Sequence, residues 1–258
     1  MATPTGRDAW LLAAGTLTVV RWPAPQRVDP GVARWAMLFA PLAVVPIGLA
    51  AALVVWLGGL VEAPPLVVGL LTVGAIALGS RGLHLDGLSD VADSLTASHD
   101  RDRSLEVMKG GTAGPAGAAT LVIVLGLQAA GVAALVGSDA GPLVVGALVC
   151  LSRAALALCC AAGVPPARDS GLAVAFAQTV PRGAAALSWV LVLVLAVGLA
   201  LAADLPWWRG AVLAGALLAG TVLVLERCVR RHGGVTGDCF GASIEIALTA
   251  GLVAASVP

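Results

Sequence analysis

Long apolar runs alternate along this chain with short polar connections. Runs suited to crossing about 30 Å of hydrocarbon, roughly 17–25 residues, fall at 35–60, 65–80, 116–136, 142–163, 184–203, 210–225 and 242–257, the second and sixth being short. That pattern predicts an all-α, polytopic helix bundle of about seven transmembrane spans. An earlier apolar run, 10–20, is too short to span and leads into Arg21-Trp22-Pro23-Ala24-Pro25-Gln26-Arg27. A signal peptide would need a basic start, but Arg7 is countered by Asp8 and no small-x-small cleavage site follows,. Residues 1–34 therefore read as an interfacial segment. With no fixed-period repeat, no low-complexity tail and no second domain, 1–258 reads as a single integral membrane domain,.

Composition agrees: of 258 residues, 59% are hydrophobic and 12% charged, and the mean hydropathy is +0.97, far from the usual soluble domain. Charge placement adds orientation. With the acid-rich stretch 81–114 on the cytoplasmic side, every Lys and Arg except Arg209, outside, and Arg153, within a span, is cytoplasmic. The positive-inside rule then sets the N-terminus inside and the C-terminus outside. Trp22 and Trp35 read as inner anchors, and Trp207 and Trp208 as outer ones,. The long polar connections 81–114, 164–183 and 226–241 all lie inside, so function is expected to face the cytoplasm from the plasma (inner) membrane. A net charge of zero, with no basic run longer than Arg230-Arg231, excludes nucleic acid as a partner,. The five cysteines show no CxxC spacing and no paired His, so they read as small buried hydrophobes, with neither a zinc site nor a disulfide framework expected,.

Candidate chemistry is concentrated in three places. Asp86, Asp90 and Asp93 project within roughly 60° of one another on a helix, so one face would present three like charges in need of a cation,. Hard carboxylate oxygens with open positions are what Mg²⁺ or Mn²⁺ sites for phosphoryl transfer require. Three of the fifteen acids on one face favours this over a solvated acidic loop. Gly87, inside the motif, lowers helix propensity and suggests that something approaches the backbone there,. In the second place, 226–241, Arg227, Arg230 and Arg231 fall at i, i+3 and i+4 and could clamp phosphates, or could serve only as a positive-inside anchor. Thr236, Gly237 and Asp238 follow, where Thr236 or Asp238 can cap the last span and its N-terminus favours anions. The third, Lys109-Gly110-Gly111-Thr112-Ala113-Gly114 before a helix, is a weaker phosphate cradle without P-loop order,. Arg101, Asp102, Arg103 and Glu106 just upstream read as a solvated, ion-paired face. Arg153 could meet the acidic site or snorkel, and Glu245 could be a further ligand or a buried partner for Arg153. His84 lies off the carboxylate face and reads as supporting the site or capping the loop.

The order His84-x-Asp86-Gly87-x-x-Asp90-x-x-Asp93, then Met108-Lys109 before a glycine loop, then Gly234-x-Thr236-Gly237-Asp238-x-x-Gly241-Ala242, resembles the cobalamin synthase family, the adenosylcobinamide-GDP ribazoletransferases. Arg21-Trp22-Pro23-Ala24-Pro25 resembles that family's N-terminal segment, so the likeness runs from end to end. The resemblance implies transfer of the adenosylcobinamide phosphate moiety of adenosylcobinamide-GDP to α-ribazole or its 5′-phosphate, with release of GMP. It implies Mg²⁺, with Mn²⁺ as substitute, on Asp86, Asp90, Asp93 and Asp238, and one carboxylate, Asp93 for instance, taking the attacking hydroxyl's proton. Lys109, Arg227, Arg230, Arg231, Thr236 and Gly237 would meet substrate phosphates, with His84 and Glu245 behind them. Where the family carries Asp-Ser-Arg-like residues, this chain has Gly110-Gly111-Thr112, so Lys109 lacks the expected neighbours. A homo-oligomer, or association with other enzymes of the cobalamin pathway, fits the same picture.

Two other readings were weighed. A CDP-alcohol phosphotransferase of phospholipid metabolism should show Asp-x-x-Asp-Gly-x-x-Ala-Arg, whereas Asp90 and Asp93 here follow Gly87. A cation transporter should place acids near the midplane of spans in paired halves, whereas this cluster follows a span.

Overall fold

The computed structural model of the protein describes residues 6–110 and 112–257; Gly111, in the glycine stretch, lies outside them. The described chain is almost wholly helical: α1 (Gly6–Leu17), α2 (Pro30–Ala43), α3 (Val45–Leu60), α4 (Pro65–Gly79), α5 (Leu83–Ala97), α6 (Arg101–Val107), α7 (Pro115–Ala133), α8 (Gly141–Leu151), α9 (Ala155–Cys159), α10 (Leu172–Phe176), α11 (Arg182–Ala202), α12 (Trp207–His232) and α13 (Gly237–Ser256). Local chemistry sets several starts. Asp29 accepts from the Val32 N–H at 2.9 Å to cap α2, Asp100 accepts from the Arg103 N–H at 2.9 Å to cap α6, and α4, α7 and α8 have Pro in their first turn,.

Six segments are long and apolar enough to cross a membrane: Pro30–Leu60, Pro115–Ala133, Gly141–Cys159, Arg182–Ala202, Trp207–His232 and Gly237–Ser256. The pair α4 and α5 is the seventh candidate, bent by 95° between its two halves. The expected bundle is therefore present, with shifted bounds. The first span starts at Pro30 and is interrupted after Ala43, because Pro46 follows in the first turn of α3 and cannot continue the α2 hydrogen-bond ladder,. The sixth runs on through Glu226–His232, since Arg and Glu are good helix formers once clear of lipid,.

Burial separates inner from outer helices. In α13 and in Gly141–Cys159, 67% of the apolar window is buried, against 33–39% in the other spans. The outer helices turn leucines and valines outward, Leu78, Val122 and Leu187 among them, as a lipid-facing surface requires. α13 packs against α12, α5 and α7, so it is the post around which the polar end is assembled. α1 lies along α2, with Ala9, Ala13 and Ala14 fully buried. The buried Asp8 accepts from the Gln26 N–H at 3.1 Å, which folds the Pro-rich 21–27 connection back over α1.

The bend before α5 positions the acidic motif. Arg81 and Gly82 both take left-handed backbone angles, φ +59° and +68°, and the Arg81 guanidinium donates to the Gly15 and Thr16 carbonyls, each at 3.1 Å. These bonds satisfy the C-terminal carbonyls of α1 and hold Arg81 in a conformation that costs a non-glycine residue about 1–2 kcal/mol. α5 consequently leaves the direction of α4 by 95° and packs its buried face on α13 and α7.

A carboxylate cluster where two helices cross

Asp86, Asp90 and Asp93 share one face of α5, as their spacing requires. Beside that face, Gly87 packs on the first turn of α13. A Cβ on Gly87 would stand 2.7 Å from the Asp238 carbonyl oxygen and 2.9 Å from its Cα. One on Gly241 would stand 2.9 Å from the His84 Cα. These glycines let the two backbones touch, and so bring Asp238 into the field of Asp86 and Asp90. Partial burial, then repulsion from Asp86, Asp238 and Asp93, pushes the Asp90 carboxyl up to about 6,. Among the described residues, Arg168 is the cation that acts against that rise.

Arg168 was not singled out from the sequence. It reaches the cluster because the 164–171 connection lies beside the 234–236 turn: Val235 donates to the Pro165 carbonyl at 2.9 Å and Ala167 to the Val235 carbonyl at 2.8 Å. Its guanidinium also donates to the Leu105 carbonyl. With Ser170, Thr236, Gly237 and Asp238 it lines a polar pocket of about 210 Å³, and with Lys109 and Arg103 it lines an open cleft of about 700 Å³. It lies 75 residues after Asp93 and 70 before Asp238, and no local pattern marks it; the charged pair Arg168-Asp169 in a conspicuous polar connection was the available signal.

The expected residues divide into several groups. Asp93 joins the field at Asp90, but its own oxygens are engaged: Gly114 donates at 2.7 Å and Gly117 at 2.8 Å. Asp93 thus caps the N-terminus of α7 from outside, and the glycine loop offers those two N–H groups to a carboxylate of this chain instead of a phosphate. Thr236 caps α13 as anticipated, accepting from the Cys239 N–H at 3.3 Å, and its hydroxyl lies 3.1 Å from Asp238 Oδ2. Gly237 opens the same helix, and exposed Lys109 stands at the cleft.

The arginines of α12 lie elsewhere. Arg231 donates to the Ser98 carbonyl at 2.7 Å and the Leu95 carbonyl at 3.3 Å, closing the C-terminal end of α5, where cations are favoured. Arg230 pairs with Glu226 at 3.0 Å on the exposed surface. With Arg227 and His99 they edge a separate groove of about 740 Å³ whose remaining lining is apolar apart from Thr120. Arg101 donates to the His232 and Ala167 carbonyls, each at 2.8 Å, so it ties α6 to the site's frame.

Behind the cluster lies a buried polar group. Glu245 accepts from Gln128 Nε2 at 2.8 Å and has His84 Nδ1 3.7 Å from its other oxygen. Arg153, fully buried, does not reach the carboxylate cluster: it donates to the Val149 carbonyl at 2.7 Å and the Ser152 hydroxyl at 2.9 Å, and feels Glu245 through space. His84 and Asp86 also line an apolar pocket of about 210 Å³ with Leu156, Phe176 and Ile244.

Such an arrangement is that of a multi-pass membrane protein with a set of mutually repelling carboxylates where two of its helices cross. The chain belongs to the Cobalamin-5-phosphate synthase family, whose model matches residues 9–256. Over 249 residues it is 50% identical to the adenosylcobinamide-GDP ribazoletransferase of a Nocardioides species, covering 96% of this chain and 98% of that protein. The protein of the same name in Frankia casuarinae is 36% identical over 92% of this chain and 90% of its own length. One from Pseudomonas savastanoi is 34% identical over 82% and 83%. No solved structure matches the chain. The chain is thus a transferase by family, and the phospholipid-enzyme and transporter readings are not favoured.

Proposed function

We propose that this protein is an adenosylcobinamide-GDP ribazoletransferase acting at the cytoplasmic face of the plasma (inner) membrane. The observation that carries the mechanism is the crossing of α5 and α13, which gathers Asp86, Asp90, Asp93 and Asp238 with Arg168 as the opposing cation. The cytoplasmic orientation is supported by the one-sided distribution of basic residues,.

These residues fit Mg²⁺. Carboxylate oxygens are the hard donors it prefers, and a carboxyl raised to about 6 by partial burial and then by repulsion from Asp86, Asp238 and Asp93 is what a site short of positive charge produces,. Asp86, Asp90 and Asp238 would hold it; Asp93 borders them while anchoring α7. Bound there, Mg²⁺ supplies positive charge to the pyrophosphate oxygens, with Mn²⁺ as a substitute.

The chain's own groups perform the rest. Arg168 and Lys109, at the shared cleft, orient the diphosphate, and the Thr236-Gly237 turn offers the N-terminus of α13 to its oxygens. A hydroxyl oxygen of α-ribazole, or of its 5′-phosphate, attacks the cobinamide-side phosphorus. The bond from that phosphorus to the bridging oxygen breaks, and GMP departs with that oxygen. The hydroxyl proton passes to a carboxylate of the cluster. Phosphoryl transfer asks for positioning and charge neutralisation more than for covalent catalysis, and positioning and charge are what these helix ends supply.

The test is GMP release by protein in liposomes given adenosylcobinamide-GDP, α-ribazole 5′-phosphate and Mg²⁺. Release that depends on the acceptor and stops with EDTA is expected. Folded protein that releases no GMP with either acceptor would overturn the reading.

A further inference from the structure

Beneath the first turn of α13 the fold assembles a second set of ligand atoms, apart from the carboxylates. Cys228 and His232 lie one turn apart at the end of α12, and Cys239 lies in the opening turn of α13. All three are buried, and two sulfurs and one imidazole nitrogen lie within 4.8 Å of one another. The intervening 233–238 turn hid this in the sequence, since Cys-x₃-His followed by Cys after six residues matches no CxxC pattern.

The histidine tautomer follows from its neighbours. His232 Nε2 is 3.2 Å from Ser94 Oγ and 3.3 Å from Ser104 Oγ. Each hydroxyl donates its single proton elsewhere, Ser94 to the Val91 carbonyl and Ser104 to the Ser94 carbonyl. Both therefore present lone pairs, and Nε2 must carry the hydrogen. That leaves Nδ1 with a bare lone pair, buried and without a hydrogen bond of ordinary geometry, on a ring that interacts with the Cys239 thiol. A fixed Nε2–H with an unprotonated Nδ1 is how an outer shell prepares an imidazole for a metal.

We propose that Cys228, His232 and Cys239 bind a zinc-class cation. Two thiolates and a neutral imidazole make Zn²⁺ formally neutral, so the assembly carries no net charge into a buried site. Tetrahedral zinc sets its sulfur and nitrogen ligands about 3.6–3.8 Å apart, so the cluster needs a contraction of about 1 Å at most,. Thr236 Oγ1, 3.5 Å from Cys239 Sγ and 3.3 Å from Met108 Sδ, brings a further sulfur to the border of the site. The soft donor set separates this site from the oxygen-only cluster, which favours Mg²⁺. Bound metal would clip α12 to α13 across the 233–236 turn and so hold Asp238 in place.

Two measurements test this on the full-length protein in detergent with a non-chelating reductant. The first is metal content by mass spectrometry after purification without chelators, for wild type, C228S, C239S and C150S. About one zinc per chain is expected in wild type and C150S, lost in C228S and C239S. The second uses no variant: Co²⁺ titrated into metal-stripped wild type, expected to give an intense near-ultraviolet thiolate-to-cobalt band that Zn²⁺ abolishes and Mg²⁺ leaves in place. Wild type that holds no zinc and shows no such band overturns the proposal, as does zinc content unchanged in both cysteine variants. Neither readout uses GMP release, so this site and the reaction stand or fall separately.

Discussion

The two ends of α5 handle charge in opposite ways. At its C-terminal end charges have settled partners: Asp93 receives the Gly114 and Gly117 N–H groups, and Arg231 closes the Leu95 and Ser98 carbonyls. At its N-terminal end Asp86 and Asp90 lie in the field of Asp238, and burial followed by repulsion outweighs what Arg168 returns, leaving Asp90 near 6. One end uses its charges to hold helices together, whereas the other keeps like charges close, where the proposed function places a cation and a diphosphate. The same residue type therefore has opposite effects on folding and on activity only a turn apart, and that difference can be broken experimentally.

Asp90→Asn should have the largest effect on activity. Removing one preorganised electrostatic group typically lowers the rate by about 10²–10³, and GMP release in liposomes would report it. The same substitution should raise the thermal midpoint of the metal-free protein by relieving repulsion, a combination that a purely structural carboxylate would not produce. Asp93→Asn should do the reverse for stability. It turns an acceptor into an amide donor facing the α7 N–H groups, at a cost of about 1.5–3 kcal/mol, read from thermal unfolding in detergent.

Arg168→Leu comes next. Losing a charge-assisted contact of about 1.5–3 kcal/mol corresponds to roughly a tenfold to hundredfold drop in kcat/KM. Arg231→Ala should cost only about 1 kcal/mol of stability through the lost cap on α5, with GMP release close to wild type. A large catalytic loss in Arg231→Ala with none in Arg168→Leu would reverse the assignment of the two ends.

The smallest expected effect concerns pH. The Asp90 carboxyl in the folded protein sits near 6, above its ordinary 3.8, so the folded state holds the extra proton in that interval. Its stabilising contribution is full below about 3.8 and is lost as the pH rises through 6. Metal-free wild type should therefore lose thermal stability between pH 4.5 and 7 more steeply than Asp90→Asn. A parallel course in the two proteins would show that Asp90 is not under strain.

Much of this was legible in the chain because apolar periodicity and helical spacing are local. The spans, the shared face of the three aspartates, the need for close approach at Gly87 and the cap at Thr236 all follow from positions within a few turns of one another. What stayed hidden depends on contacts distant in sequence. Asp93 as an anchor for α7 requires Gly114 and Gly117, more than twenty residues on. Arg168 reaches the cluster only through the pairing of 165–167 with 235. The arginines of α12 look from spacing like a phosphate clamp, yet the helix carries them toward the far end of α5. The cysteines and His232 appear unrelated until the 233–238 turn folds α13 back against α12.

The most direct test of the central claim is Mn²⁺ binding followed by electron paramagnetic resonance, comparing wild type, Asp86→Asn, Asp90→Asn and Asp93→Asn in the purified membrane protein. The account predicts that Mn²⁺ is retained by wild type and by folded Asp93→Asn, and that affinity falls sharply in Asp86→Asn and Asp90→Asn. Retention by Asp86→Asn and Asp90→Asn with loss only in Asp93→Asn would contradict it, placing the cation at the end of α5 assigned here to structure.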